Sequence, residues 1–218
     1  MNLKAVIFDF DFTLADSSKG FIDCHGYACE ALSLPAITPM QATTMMGTPL
    51  LEAFRLLFAD EHQGLAEEYV RLWQARADEV MTPLTEMYPN TEKVVSELRA
   101  LGLKTGIVSQ KLRYRIEEVL ERDGIAGCFD VLVGGGDVSA FKPDPEGILT
   151  ALERAGLAPA EAIYAGDTVI DAQAAANAGV GFVAVLTGVT AAEAFARYGA
   201  LTVLPGISGL PELCRALS

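Results

Sequence analysis

Ala5, Val6, Ile7 and Phe8 form an apolar run with no polar residue in alternate positions, and Asp9, Asp11 and Thr13 follow it directly. A strand apolar on both faces must be covered on both, which points to the middle of a parallel sheet flanked by helices. In open sheets of that kind ligands bind beyond the carboxyl ends of the strands. Side chains at i and i+2 of an extended segment point the same way, so Asp9 and Asp11 are predicted to converge on one small volume. Carboxylates that close repel each other unless a cation or a shared proton relieves them.

The second half of the chain repeats the requirement. From Tyr88 onward helix and strand alternate strictly. A helix carrying Val94, Val95, Leu98 and Leu101 stops at Gly102, and a strand over 104–108 ends at Ser109. A helix with Ile116, Val119 and Leu120 leads to a short strand over 131–133 that runs into Gly134. A helix over 148–155 stops at Gly156, a strand covers 163–165, and an Ala-rich helix ends near Gly179. The rest reads as a strand over 182–186, a helix over 192–198, a strand over 201–204 and a last helix to Leu217. This is an α/β protein with a doubly wound, Rossmann-like parallel sheet as its core.

Between these parts the rhythm changes. Ser17 or Ser18 can cap a helix running towards Leu32, and Leu34, Pro35, Thr38 and Pro39 break it. A second helix starts at Thr48 and Pro49, and a third carries Leu65, Tyr69, Leu72, Trp73, Arg76 and Val80, with Thr82 and Pro83 marking the return. Residues 16–84 therefore read as an α-helical insert, and residues 1–15 and 85–218 as the α/β core. Tyr69 and Trp73 are expected to pack, not to hold a ligand.

Charge and cysteine usage exclude several classes. A net charge of −13 over 218 residues offers no cationic face for nucleic acid or an anionic membrane. The N-terminal apolar run is too short for a signal peptide and no segment is long enough to span a bilayer, so the expectation is a cytoplasmic protein, monomeric by default. Cys24, Cys29, Cys128 and Cys214 are scattered without a CxxC pair, which suits buried thiols and not a disulfide frame or a zinc site.

Three later strand ends carry polar residues that can meet Asp9. Ser109 closes IVS, Lys142 lies in FKPDP, and Asp167 and Asp171 lie in GDTVID. Together they supply an acidic nucleophile, a neighbouring acid or base, a hydroxyl donor, a fixed cation and further carboxylates for a metal. In this order the four motifs resemble the haloacid dehalogenase superfamily, and the helical insert resembles its small cap domain. The layout is similar to the phosphoglycolate phosphatase and β-phosphoglucomutase branch, from which the chain departs at Phe12, where Gly is usual, and at Gln110, where Asn is usual.

The resemblance implies a Mg²⁺-dependent phosphatase acting on a small phosphorylated metabolite through an aspartyl-phosphate. Asp9 is then the nucleophile and Asp11 the general acid and base. Ser109, Gln110 and Lys142 bind the phosphate, while Asp9, the backbone carbonyl of Asp11 and Asp167 hold Mg²⁺. Asp171 orients the metal's waters or Lys142. Met46 and Gly47 in the insert select the leaving group. A β-phosphoglucomutase-like phosphomutase or an inorganic pyrophosphatase of the same fold would share these core residues. A dehalogenase needs neither Asp11 nor the Asp167 pair, and a phosphonate hydrolase needs a cap lysine, for which Lys19 is the insert's only candidate.

Overall fold

The computed structural model describes residues 2–217 and divides the chain into two compact units, residues 1–16 with 87–218 and residues 17–86. Met1 and Ser218 lie outside the described residues. Among the described residues no helix is long and apolar enough to cross a membrane.

The first unit is built on β1 (Ala5–Phe8), whose four residues are all buried. Alternation sends Val6 and Phe8 into one apolar layer and Ala5 and Ile7 into another, so the run is covered on both faces. After the two-residue strands β2 (Ala15–Asp16) and β3 (Glu86–Met87) come β4 (Lys104–Leu112), β5 (Val131–Gly135), β6 (Ala162–Gly166), β7 (Gly181–Val185) and β8 (Thr202–Leu204). The parallel sheet has the order β5-β4-β1-β6-β7-β8.

Helices α1 (Ser18–Ala31), α2 (Pro39–Thr44), α3 (Leu50–Leu57) and α4 (Ala66–Leu84) belong to the second unit. Helices α5 (Thr91–Ala100), α6 (Arg113–Arg122), α7 (Glu146–Ala155), α8 (Val169–Ala178) and α9 (Leu210–Leu217) belong to the first. Leu98 of α5, Ile116 of α6 and Leu210 of α9 share the layer with Val6 and Phe8. Ile148 of α7 and Ala172 and Ala175 of α8 share the other with Ala5 and Ile7. The small alanines let α8 lie close to the sheet.

Four local readings change. β4 continues through Ser109, Gln110 and Lys111 to Leu112, with a register shift after Val108 that keeps it paired to β5. Residues 192–198 form a 3₁₀ segment, not an α-helix. Thr38 and Pro39 start α2, because Thr38 and Gln41 make a reciprocal capping box with proline in the first turn. α4 runs past Thr82 and contains Pro83 in its last turn, where the Thr85 hydroxyl donates to the Met81 carbonyl at 2.6 Å.

The second unit packs α1 against α4 around Phe21, Cys24, Phe54, Tyr69, Trp73 and Met81. Gly20 permits the approach, since a methyl group there would lie 2.8 Å from Met81 Sδ. Tyr69 and Trp73 are core residues. His25 is enclosed by Phe21, Tyr69 and Trp73, with Nδ1 bonded to the Tyr69 hydroxyl, and burial lowers its pKa to about 4. The unfolded chain binds a proton near pH 6.5 and the folded one only near pH 4. His25 thus favours the fold fully above pH 6.5, and that contribution is lost as pH falls to 4. In urea titrations at pH 7 and 4.5, the wild type should lose about 2–3 kcal/mol more than His25→Gln. Equal losses would refute this.

Candidate active site

Register decides which residues meet. Phe8 is level with Ile107 on one side and Ala165 on the other. Asp9 therefore emerges beside Val108 and Ser109, where the register of β4 shifts, and beside Gly166 and Asp167 at the end of β6. Lys142 comes from the loop between β5 and α7. That loop is tied down where Gln110 Nε2 donates to the Lys142 carbonyl at 3.3 Å and Asn177 Nδ2 to the Pro143 carbonyl at 2.9 Å.

The Lys142 ammonium gathers this row. It donates to Asp9 Oδ1 at 2.8 Å, to Asp171 Oδ1 at 2.7 Å and to the Tyr164 hydroxyl at 3.2 Å, which occupies all three of its donors. Tyr164 donates onward to the Val108 carbonyl at 2.8 Å. Asp171 divides its oxygens: Oδ2 accepts from the Thr168 backbone at 3.0 Å and hydroxyl at 2.6 Å in the capping box of α8, leaving Oδ1 to Lys142. Burial opposes the charge on Lys142, but Asp171 and Asp9 outweigh it and hold its pKa well above the ordinary lysine value.

The carboxylates are under the opposite stress. Burial raises Asp9 to about 6 against the pull of Lys142. Asp167 rises to about 9 through burial and the nearby charges of Asp171 and Asp9. Its hydroxyl partner, Thr13, stands at 3.4 Å. Asp9, Asp167 and Asp171 each bring a carboxylate oxygen within 4.8 Å of the others. A cluster of hard oxygen donors with excess negative charge fits Mg²⁺ and does not suit a soft metal. Gly188 keeps room beside it, because a methyl group there would lie 1.9 Å from Asp167 Oδ2.

Asp11 lies outside that trio, near enough for its charge to help raise Asp9, and its Oδ1 accepts from Lys111 Nζ at 2.8 Å. Ser109 is buried at the end of the row, its Oγ accepting from the Lys111 backbone at 3.3 Å. Met46 and Gly47 lie in the second unit between α2 and α3, where Met46 packs against that unit's own core. Lys111, Tyr164 and Thr187, whose hydroxyl bonds the Phe12 carbonyl, stand beside these residues without a motif to mark them. The i, i+2 rule that pairs Asp9 with Asp11 also pairs Ser109 with Lys111. Tyr164 was hidden by its place in an apolar run, and Thr187 is the first polar residue after β7.

The chain is similar to several known proteins. Residues 6–185 match the model of the haloacid dehalogenase-like hydrolase family. Phosphoglycolate phosphatase of Salmonella typhimurium is 32% identical over 216 residues, covering 89% of this chain and 86% of that protein. Pyrophosphatase PpaX of Bacillus velezensis is 30% identical over 196 residues, covering 90% and 89%. A crystal structure from Bacteroides fragilis, described as a haloacid dehalogenase-like hydrolase, superposes with a TM-score of 0.89 at 35% identity over 95% of this chain and 99% of the other.

Lys142→Met would leave Asp9 and Asp171 buried without their cation. Removing one partner from a buried pair costs about 3–5 kcal/mol, so the variant's urea midpoint at pH 7 should fall by a corresponding amount. A loss below about 1 kcal/mol would mean that Lys142 does not hold the row together.

Proposed function

Since the chain belongs to the haloacid dehalogenase-like hydrolase family, we propose that it is a Mg²⁺-dependent phosphatase that hydrolyses a small phosphomonoester through an aspartyl-phosphate. The observation that carries this reading is the buried Lys142 ammonium shared by Asp9 and Asp171, beside a third buried carboxylate, Asp167. Phosphoglycolate and pyrophosphate, named for the two relatives above, are the first substrates to try, with sugar phosphates next.

Asp9 attacks phosphorus with the carboxylate oxygen that Lys142 leaves uncovered. An Asp9–phosphorus bond forms as the bond to the leaving oxygen breaks, and Asp11 donates a proton to that oxygen. Water then attacks phosphorus, Asp11 takes its proton, and the Asp9–phosphorus bond breaks. Lys142 neutralises Asp9 and the phosphate, and the Ser109 hydroxyl donates to a phosphoryl oxygen. Mg²⁺, held by Asp9, the backbone carbonyl of Asp11 and Asp167, would compensate charge on the phosphoryl oxygens. Asp171 is occupied by Lys142 and Thr168, which favours a role in orienting Lys142. By the same resemblance, the insert read as residues 16–84 is the cap, and Met46 and Gly47 help choose the leaving group.

Asp9→Asn keeps the shape of the side chain and removes the nucleophile, so phosphate release should fall to background while the melting curve persists. Turnover by a well-folded Asp9→Asn protein would refute the mechanism. Mg²⁺ should raise the melting temperature, because an ion bound only by the folded state stabilises it. EDTA should abolish phosphate release and Mg²⁺ restore it. Activity in protein verified to be metal-free would remove the metal from the scheme.

A further inference from the structure

The site holds two ammonium groups, and the mechanism uses only one. Lys142 has its donors committed to Asp9, Asp171 and Tyr164 on the nucleophile's side. Lys111 arrives from the far end of β4, where its Nζ lies 2.8 Å from Asp11 Oδ1 and 5.2 Å from the centre of the Phe10 ring. Its side chain is 4% exposed, while that of Asp11 is 23% exposed. The more open member of the pair is thus the carboxyl group assigned to the leaving oxygen, and the charge behind it is shielded from water.

We propose that Lys111 is a specificity-determining residue that places a fixed positive charge on the leaving-group side of phosphorus and so selects phosphomonoesters whose leaving group is itself an anion. This rests on the reading of Asp11 as the acid that serves the leaving oxygen. Such an acid works within hydrogen-bond reach of that oxygen, so the Lys111 ammonium lies within roughly 8 Å of it, the two contacts joined across the Asp11 carboxyl group. A carboxylate or second phosphate attached one or two bonds beyond the leaving oxygen falls inside that radius. Burial also limits screening by salt, so the attraction acts at full ionic strength.

The experiment compares kcat/KM for phosphoglycolate and for 2-hydroxyethyl phosphate, which differ in a carboxylate against a neutral hydroxymethyl group. The wild type, with Mg²⁺, should prefer phosphoglycolate by about 10- to 100-fold, the range of one hydrogen bond to a charged group. Lys111→Met should bring the ratio near one and Lys111→Arg should keep it. A merely structural role for Lys111 would slow both esters together and leave the ratio unchanged, which overturns the proposal. No preference in the wild type overturns it too, whether or not Lys111→Met folds. Failure of the phosphatase reading looks different: wild-type protein would release phosphate from neither ester nor from p-nitrophenyl phosphate.

Discussion

One ammonium group makes this site possible. Asp9 and Asp171 come from elements separated by most of the chain, and both are buried where like charges repel strongly. Lys142 bonds both at under 3 Å, and Tyr164 fixes it from a third direction. Its loop is in turn held by Gln110 and Asn177. The arrangement is incomplete in charge, since Asp167 adds a third buried carboxylate and its pKa is driven to about 9. A site left short of positive charge in this way favours a divalent cation.

The fold supplies the position and little of the chemistry. Two apolar layers fix β1 in the middle of the sheet, and parallel pairing then sets Asp9 level with the register shift of β4 and the end of β6. A slip of one residue in β1 would exchange Val6 and Phe8 with Ala5 and Ile7 between layers. The packing of a large Phe8 on one side and a small Ala5 on the other opposes such a slip. The precision of the site is therefore inherited from side chains that never touch it.

How much could be read beforehand depended on whether the signal was local. Ala5 to Phe8, the glycines after α7 and α8, and the carboxylates at strand ends all act through period, capping or alternation, and these survive in a single sequence. The doubly wound sheet followed from them. The second carboxylate–ammonium pair did not, because Asp11 and Lys111 are brought together only by the register of β1 on β4 and by the continuation of β4 beyond Ser109. Tyr164 was equally out of reach: its ring belongs to the apolar layer, and only the fold shows that its hydroxyl meets Lys142. Thr38 and Pro39 open α2 where the sequence alone suggests a break, since proline can end one helix and open another.

Phe12 breaks a local rule at the point where chemistry is gathered. Its φ of +57° is the left-handed conformation that glycine adopts freely and that costs other residues about 1–2 kcal/mol. The surrounding turn enforces it. Phe12 N donates to the Ala15 carbonyl at 2.7 Å, Leu14 N to the Phe10 carbonyl at 2.9 Å, and the Thr187 hydroxyl closes on the Phe12 carbonyl. The ring is buried, and the apolar area it removes from water offsets the backbone strain. Glycine would relieve the dihedral but lose that area and loosen the segment between Asp11 and Thr13. In this chain the turn is held by packing and hydrogen bonds where glycine would rely on conformational freedom, and the two carboxylates on either side of Phe10 keep their direction as a result.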